Sequence, residues 1–222
     1  MLETYLPNVN WEKMWGATYE TLYMTGVSVV AVFVFGIVLG LILFLTSKGN
    51  LWENKLLYGI VGAYVNIFRS IPFIILIVLL IPFTKLVVGS MIGSTAALPA
   101  LIIGAAPFYA RLVEIALREI DKGVIEAAKA MGAKTGTIIW KVLLPESMPA
   151  IVSGITVTTI ALLGSTAVAG VVGAGGLGNL AYLEGFSRGQ SDVTLVATII
   201  ILIIVFIVQY IGDRVTTRID KR

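Results

Sequence analysis

Few residues in this chain can do chemistry, and they fall in a handful of short stretches. Cysteine and histidine are both absent, which removes disulfides, thiolate metal sites, histidine general bases and histidine proton relays. Charged residues make up 13% of the chain and hydrophobic ones 58%. Three polar stretches stand out: Arg69-Ser70-Ile71-Pro72, the run from Arg111 to Lys122, and Glu126-Ala127-Ala128-Lys129-Ala130-Met131-Gly132 with Leu144-Pro145 downstream. None sets a nucleophile beside a base, so a membrane enzyme is the least favoured class. Gly173-Ala174-Gly175-Gly176-Leu177-Gly178 fits G-x-G-x-x-G in letters only, because no strand and helix flank it to give a dinucleotide fingerprint its mechanism. These glycines are expected to turn the backbone tightly at the outer end of a helix bundle, where non-helical chain must be buried or face water.

Glu126 to Met131 has strong helix formers at every position, and Gly132 can supply a left-handed stop. A second helical segment, Thr135 to Leu144, is predicted to end at Pro145. Ala127, Ala128 and Ala130 offer a smooth surface that a partner groove can approach closely, a recognised docking mode for a helix. A plain connecting loop fits the same residues equally well.

The elements around these stretches are membrane spans. The mean hydropathy is +0.96, and several apolar runs reach the ~20 residues that cross a hydrocarbon core as helix. The expected fold is all-α: a polytopic membrane protein with about five transmembrane helices in one domain over residues 1–222. The net charge of +3 is read as loop charge that sets orientation, not as a nucleic-acid footprint. No basic stretch precedes the first apolar run, so that run is expected to be retained, not cleaved.

The first span is predicted over about Thr21 to Leu45, with Gly36 and Gly40 at the small-xxx-small spacing of close helix packing. Leu56 to Val88 is too long for one straight span. Phe68 to Pro72 is expected to divide it into a helix lying at or entering the cytoplasmic interface, Leu56 to Phe68, and a second span, Ile71 to about Leu86. Arg69 is costly at the bilayer centre; it either snorkels at a helix end or lines the mouth of a pathway. The third span, about Thr95 to Leu117, holds Pro99 and Pro107. Arg111, Glu114, Arg118 and Asp121 are expected to pair on the surface of an emerging helix end. The fourth span covers about Met148 to Val172, and its small run Ser165 to Gly170 fits either a narrow gate with Val168 as an apolar plug or close helix packing. The fifth span, about Val193 to Ile211, precedes Arg214, Arg218, Lys221 and Arg222. Loop charges put the N-terminus outside and put the basic region around residues 118–147, together with the C-terminus, in the cytoplasm. No internal repeat of the kind found in many secondary transporters is visible, and apart from Arg69 the spans have almost none of the embedded ionisable groups that ion coupling uses.

The spacing Glu126-Ala127-Ala128-x3-Gly132-x9-Val142-x-Leu144-Pro145 resembles the EAA loop of bacterial ATP-binding-cassette importer permeases, with valine in place of one isoleucine. Asn66 to Pro72, Gly104 to Phe108 and Val171 to Gly178 are similar to stretches of the methionine-importer permeases in particular, so the likeness covers nearly the whole chain. The resemblance implies the type I ABC importer permease fold and a homodimer with its pathway on the two-fold axis. It also implies two cytoplasmic ATP-binding subunits and an extracytoplasmic methionine-binding protein in a bacterial cell membrane. Glu126, Ala127, Ala128, Gly132, Leu144 and Pro145 are the implied ATPase-coupling residues, and Arg69, Pro72, Ser165 and Val168 the candidate pathway or gate residues. No cofactor is expected on this chain: without G-x-x-x-x-G-K-[ST], ATP and Mg fall to the partner ATPase. Permeation of another small amino acid or related solute and ATP-independent secondary transport are the alternatives.

Overall fold

The computed structural model describes residues 6–220. Helices α1 (Trp11–Thr46), α2 (Lys55–Ser70), α3 (Phe73–Leu79), α4 (Ile81–Val88) and α5 (Ser94–Arg118) make up the first half. The second half holds α6 (Lys122–Ala130), α7 (Thr135–Ile138), α8 (Leu144–Ala169), α9 (Gly176–Leu180) and α10 (Ser191–Ile219). Wider π-helical turns at Ile139–Leu143, Gly170–Ala174 and Ala181–Phe186 join or extend them. Among the described residues there is no strand, and 4 helices are long and apolar enough to cross a membrane, or 5 when the bent pair α2 and α3 is taken as one span.

The core is built around α1 and α5. Gly36 and Gly40 are buried where α1 crosses α5: a Cβ at Gly36 would strike the Tyr109 ring, and one at Gly40 would strike Val113. The fully buried Tyr109 also stacks on Phe33 at 6.1 Å and donates its hydroxyl to the Ile151 carbonyl at 3.2 Å. One side chain thus fixes α1, α5 and α8 together. A second cluster, Met14, Leu177, Val193 and Ala197, closes the opposite end, where α1, α9 and α10 meet.

Several boundaries differ from expectation. Helix α1 starts at Trp11, ahead of the predicted Thr21, because Asn10 caps it by accepting from the Lys13 amide at 3.0 Å. Its 36 residues are about 54 Å long at 1.5 Å per residue, so it projects beyond a hydrocarbon core. The last helix likewise carries Arg214 and Arg218 on its own final turns, to Ile219, where a separate tail was expected; Lys221 and Arg222 lie outside the described residues.

The larger correction concerns the second span. Leu56 to Phe68 is helical, as expected, and is packed onto the bundle. Helix α2 lies lengthwise against α5: Tyr58 meets Arg118, Asn66 meets Arg111, and Phe68 and Arg69 reach Gly104 to Phe108. Helices α3 and α4 continue past the same helix, with Leu76 against Gly104 and Thr84 near Ala96. Helices α2 and α3 together are long and apolar enough to cross a membrane and are bent by 107° after Ser70, the form of a broken span or a re-entrant loop. Pro72 sits at the cap of α3 and Pro82 opens α4, so the predicted continuous helix Ile71 to Leu86 is two short pieces.

Pro145 does not stop a helix. The path runs from Thr135 to Ala174 through a π turn at Ile139–Leu143, whose Leu144 amide bonds to the Ile139 carbonyl. Widening the helix just before the proline relieves the clash between its ring and the carbonyl one turn back, the clash that ends an ordinary α-helix.

Candidate transport pathway and coupling loop

Helix α6 stands between Asp121 and Gly132. The Asp121 carboxylate accepts from the Gly123 amide at 2.7 Å and caps the start. At the other end Gly132 adopts φ +78, its amide bonds to the Lys129 carbonyl at 2.9 Å, and the Ala133 amide bonds to the Ala128 carbonyl at 3.1 Å. These two crossed bonds form a Schellman cap, which needs a left-handed residue at the glycine position. Ile125 and Ala128 point inward and join Ile120, Ile138, Leu143 and Leu144 in the main core. The helix is thus mounted rigidly on the ends of α5 and α8.

The motif residues divide by direction. Glu126, Ala127, Gly132 and Pro145 are exposed, whereas Ala128 and Leu144 are buried. Ala128 therefore belongs to the helix's seat and not to a docking surface, which corrects the expectation of three outward alanines. The outward surface also carries Val124, Met131 and Trp140, the last two 81% and 74% exposed. Sequence reasoning did not single these three out. Large apolar side chains left in water beside a capped helix were the available signal.

Just above this loop lies a buried charge cluster. Glu114, expected on the surface, is 1% exposed and accepts from Arg111 and Arg118, each at 2.6 Å. Arg111 also donates to the Asn66 side chain at 2.8 Å and Arg118 to the Tyr58 hydroxyl at 3.3 Å. The carboxylate is buried because α2 packs over it, and its two arginines become clamps between α5 and α2. Asp121, expected to pair with Arg118, caps α6 instead.

The break in the second span opens a cavity of about 340 Å³ between α2, α3, α5 and α8. Arg69 and Ser165 both line it, as do Phe68, Phe73, Phe108 and Leu162. Pro72 holds the α3 end of the break. Val168 is 36% exposed one turn beyond Ser165 and is not part of the cavity wall. The structure thus brings Arg69 and Ser165 together and leaves Val168 on an open face.

At the far end of α8 the chain doubles back through Gly173, Gly175 and Gly176, all at positive φ. The Gly176 amide donates to Glu20 at 2.6 Å and the Leu177 amide to the Thr21 hydroxyl at 2.9 Å. Nearby, Glu184 is fastened to Lys13 at 2.7 Å and Asp192 to the Asn8 amide at 2.9 Å. Glu20 was missed because a lone acid in an apolar helix gives no spacing signal.

A helical bundle with a broken span, a cavity at the break and a capped helix held out at one end is the architecture of a membrane-embedded transport subunit. Residues 33–222 match the family of binding-protein-dependent transport system inner membrane components. The chain belongs to that family and is a multi-pass membrane protein. It is similar to the methionine import system permease protein MetP of Bacillus subtilis (strain 168), 68% identical over 100% of both chains. It is also similar to the probable D-methionine transport system permease protein MetI of Pasteurella multocida (strain Pm70), 48% identical over 96% of this chain and 98% of the relative. A solved structure, an inward-facing MetNI methionine ABC transporter in its CY5 native crystal form, superposes with a TM-score of 0.92 at 46% identity, over 94% of this chain and 96% of that one.

Proposed function

We propose that this chain is the permease of an ATP-driven importer and forms the path for methionine uptake by alternating access. The single observation that carries the mechanism is helix α6, which is capped at both ends, seated in the core through Ile125 and Ala128, and presents Glu126 and Ala127 outward. A helix mounted this way transmits a push to α5 and α8 without unfolding. The solute is named from the relatives, whose printed names are those of methionine permeases.

The working assembly is a homodimer in the bacterial cell membrane, with lipid around it, two cytoplasmic ATP-binding subunits under the two α6 helices and an extracytoplasmic methionine-binding protein above. ATP and Mg belong to the ATPase subunits. The N-terminus lies outside and the C-terminus in the cytoplasm, on the side of α6. In each protomer Glu126, Ala127, Ala128, Gly132, Leu144 and Pro145 make the coupling loop: the exposed members contact the ATPase, and Ala128 and Leu144 hold the loop to the bundle. Closure of the ATPase dimer on ATP draws the two α6 helices together, and hydrolysis releases them. The nucleotide shifts the bundle only by the difference in contact free energy between the two states. Arg69, Pro72 and Ser165 lie along the path, and Val168 is the apolar plug of the gate.

The test is co-purification and transport. The chain expressed with its ATPase is expected to retain it through affinity purification and, in proteoliposomes with the binding protein, to import methionine only when ATP is present. Replacing Glu126 and Ala127 by bulky residues is expected to release the ATPase. Uptake that continues without any ATPase, and stops when the proton gradient is collapsed, would show a secondary transporter instead.

A further inference from the structure

The bend after Ser70 places Arg69 halfway along α5, a helix of 25 residues from Ser94 to Arg118, opposite Gly104, Ala105 and Phe108. Arg69 is exposed in the single chain and lines the cavity at the level of the middle of α5, and an ionisable group at that depth of a membrane bundle marks a functional site by default. Among the described residues Arg69 has no hydrogen-bond or ion-pair partner, and no Asp or Glu lines the cavity it faces. The charged end of α2, where Tyr58 meets Arg118, lies about three helical turns away.

The surroundings of that cation are complementary to one chemical class. Arg69 is donor-only and suits a carboxylate, which a planar guanidinium grips with two parallel bonds. Ser165 has its hydroxyl hydrogen turned to the Ala161 carbonyl at 3.2 Å, which leaves its oxygen free to accept. The last carbonyls of α2, interrupted at Ser70, have no helical partner and carry the negative end of the helix dipole. Both acceptors suit an ammonium. Phe68, Phe73, Phe108 and Leu162 form the apolar remainder of the wall, and the volume of about 340 Å³ is at the lower end of small-molecule sites.

We propose that this cavity is a transit site for a zwitterionic amino acid with an apolar side chain, with Arg69 taking the carboxylate and Ser165 with the end of α2 facing the ammonium. The assignment rests on the importer reading and deepens it. It also states a selectivity. An amino acid with a second cationic group finds no acid in the wall, and an amine lacking the carboxylate leaves Arg69 uncompensated.

The chain contains no cysteine, so Ser165→Cys places a single thiol in the cavity. In the full complex reconstituted in phosphatidylcholine vesicles, L-methionine is expected to slow maleimide labelling of that thiol, and 3-methylthiopropylamine, its analogue without a carboxylate, is not. Adding Arg69→Gln is expected to weaken the protection about tenfold or more, the scale of one lost charge-assisted bond, and Arg69→Lys is expected to keep part of it. Methionine imported per ATP hydrolysed should fall in the same order. The two readings fail separately. If the wild type does not import methionine, the importer reading loses its solute and the labelling is scored with L-leucine and L-norleucine. A thiol that no neutral amino acid protects, or protection that is the same with and without Arg69→Gln, overturns the site.

Discussion

The Glu20 carboxylate accepts from the Gly176 amide at 2.6 Å across 156 residues of sequence, and this bond fastens the long first helix to the glycine bend that ends α8. The fit is mutual: a Cβ on Gly175 would strike the same carboxylate, and one on Gly176 would strike Thr21. The bend is held because bare backbone lies directly on α1 there. Glu20→Ala is expected to strip the Gly176 amide of its partner at a cost of about 1–3 kcal/mol. Gly175→Ala is expected to be at least as damaging, since it adds the clash to a positive φ. Thermal unfolding of the detergent-purified chain measures both, and a Glu20→Ala melting temperature equal to wild type would show that the clip contributes nothing.

Glu114 makes a second prediction through its burial. Removing it leaves Arg111, 23% exposed, and Arg118, 51% exposed, without their common anion. Breaking a fully buried pair costs about 3–5 kcal/mol, and water reaching both arginines lowers that toward about 2 kcal/mol. Glu114→Gln is expected to lower stability by roughly that amount and to loosen α2 from α5. Hydrogen exchange over Lys55–Ser70 reads the second effect; unchanged protection there would mean that packing at Gly62 and Val65 alone holds the helix.

These two acids show which parts of the molecule the sequence made legible. Helix count, the break near Pro72 and the left-handed stop at Gly132 follow from local chemistry: apolar length, a missing donor, a residue without Cβ. The depth of Arg69, the burial of Glu114 and the partner of Glu20 depend instead on how α2 lies along α5 and how the bend folds back on α1. Neighbours far apart in sequence decide those, so Arg111 to Arg118 looked like a solvated helix end until α2 covered it. Pro145 failed as a stop for a different reason. A π turn absorbs its ring, and nothing in local propensity announces such a turn.

The Schellman cap at Gly132 gives a third prediction. Gly132→Val places a β-branched residue at φ +78, where a left-handed conformation costs an L-residue about 1–2 kcal/mol and branching adds to that. The crossed bonds from Gly132 and Ala133 are then lost and the end of α6 frays. Co-purifying ATPase is expected to drop several-fold, whereas Gly132→Asn, which tolerates the conformation, keeps most of it. Equal retention in both variants would remove the cap from the coupling mechanism.

The last prediction concerns Val168. It stands on the open side of α8 at 36% exposure, one turn beyond Ser165, with Val171 and Val172 following at 44% and 40%. Apolar side chains on a helix whose other face is packed meet lipid, or the same helix of a second protomer. The gate reading requires the second. Because the chain lacks cysteine, Val168→Cys puts one thiol on each protomer of the dimer, and a disulfide forms only when their Cα atoms come within about 7 Å. Oxidation in membranes is expected to give a crosslinked dimer in the resting state and less of it when ATP with vanadate holds the ATPase closed and the path open outward. The same oxidation of Leu195→Cys, on an exposed part of α10, serves as the reference for random collision. Crosslinking of Val168→Cys no greater than that reference in any nucleotide state would place the residue against lipid and move the gate elsewhere along α8.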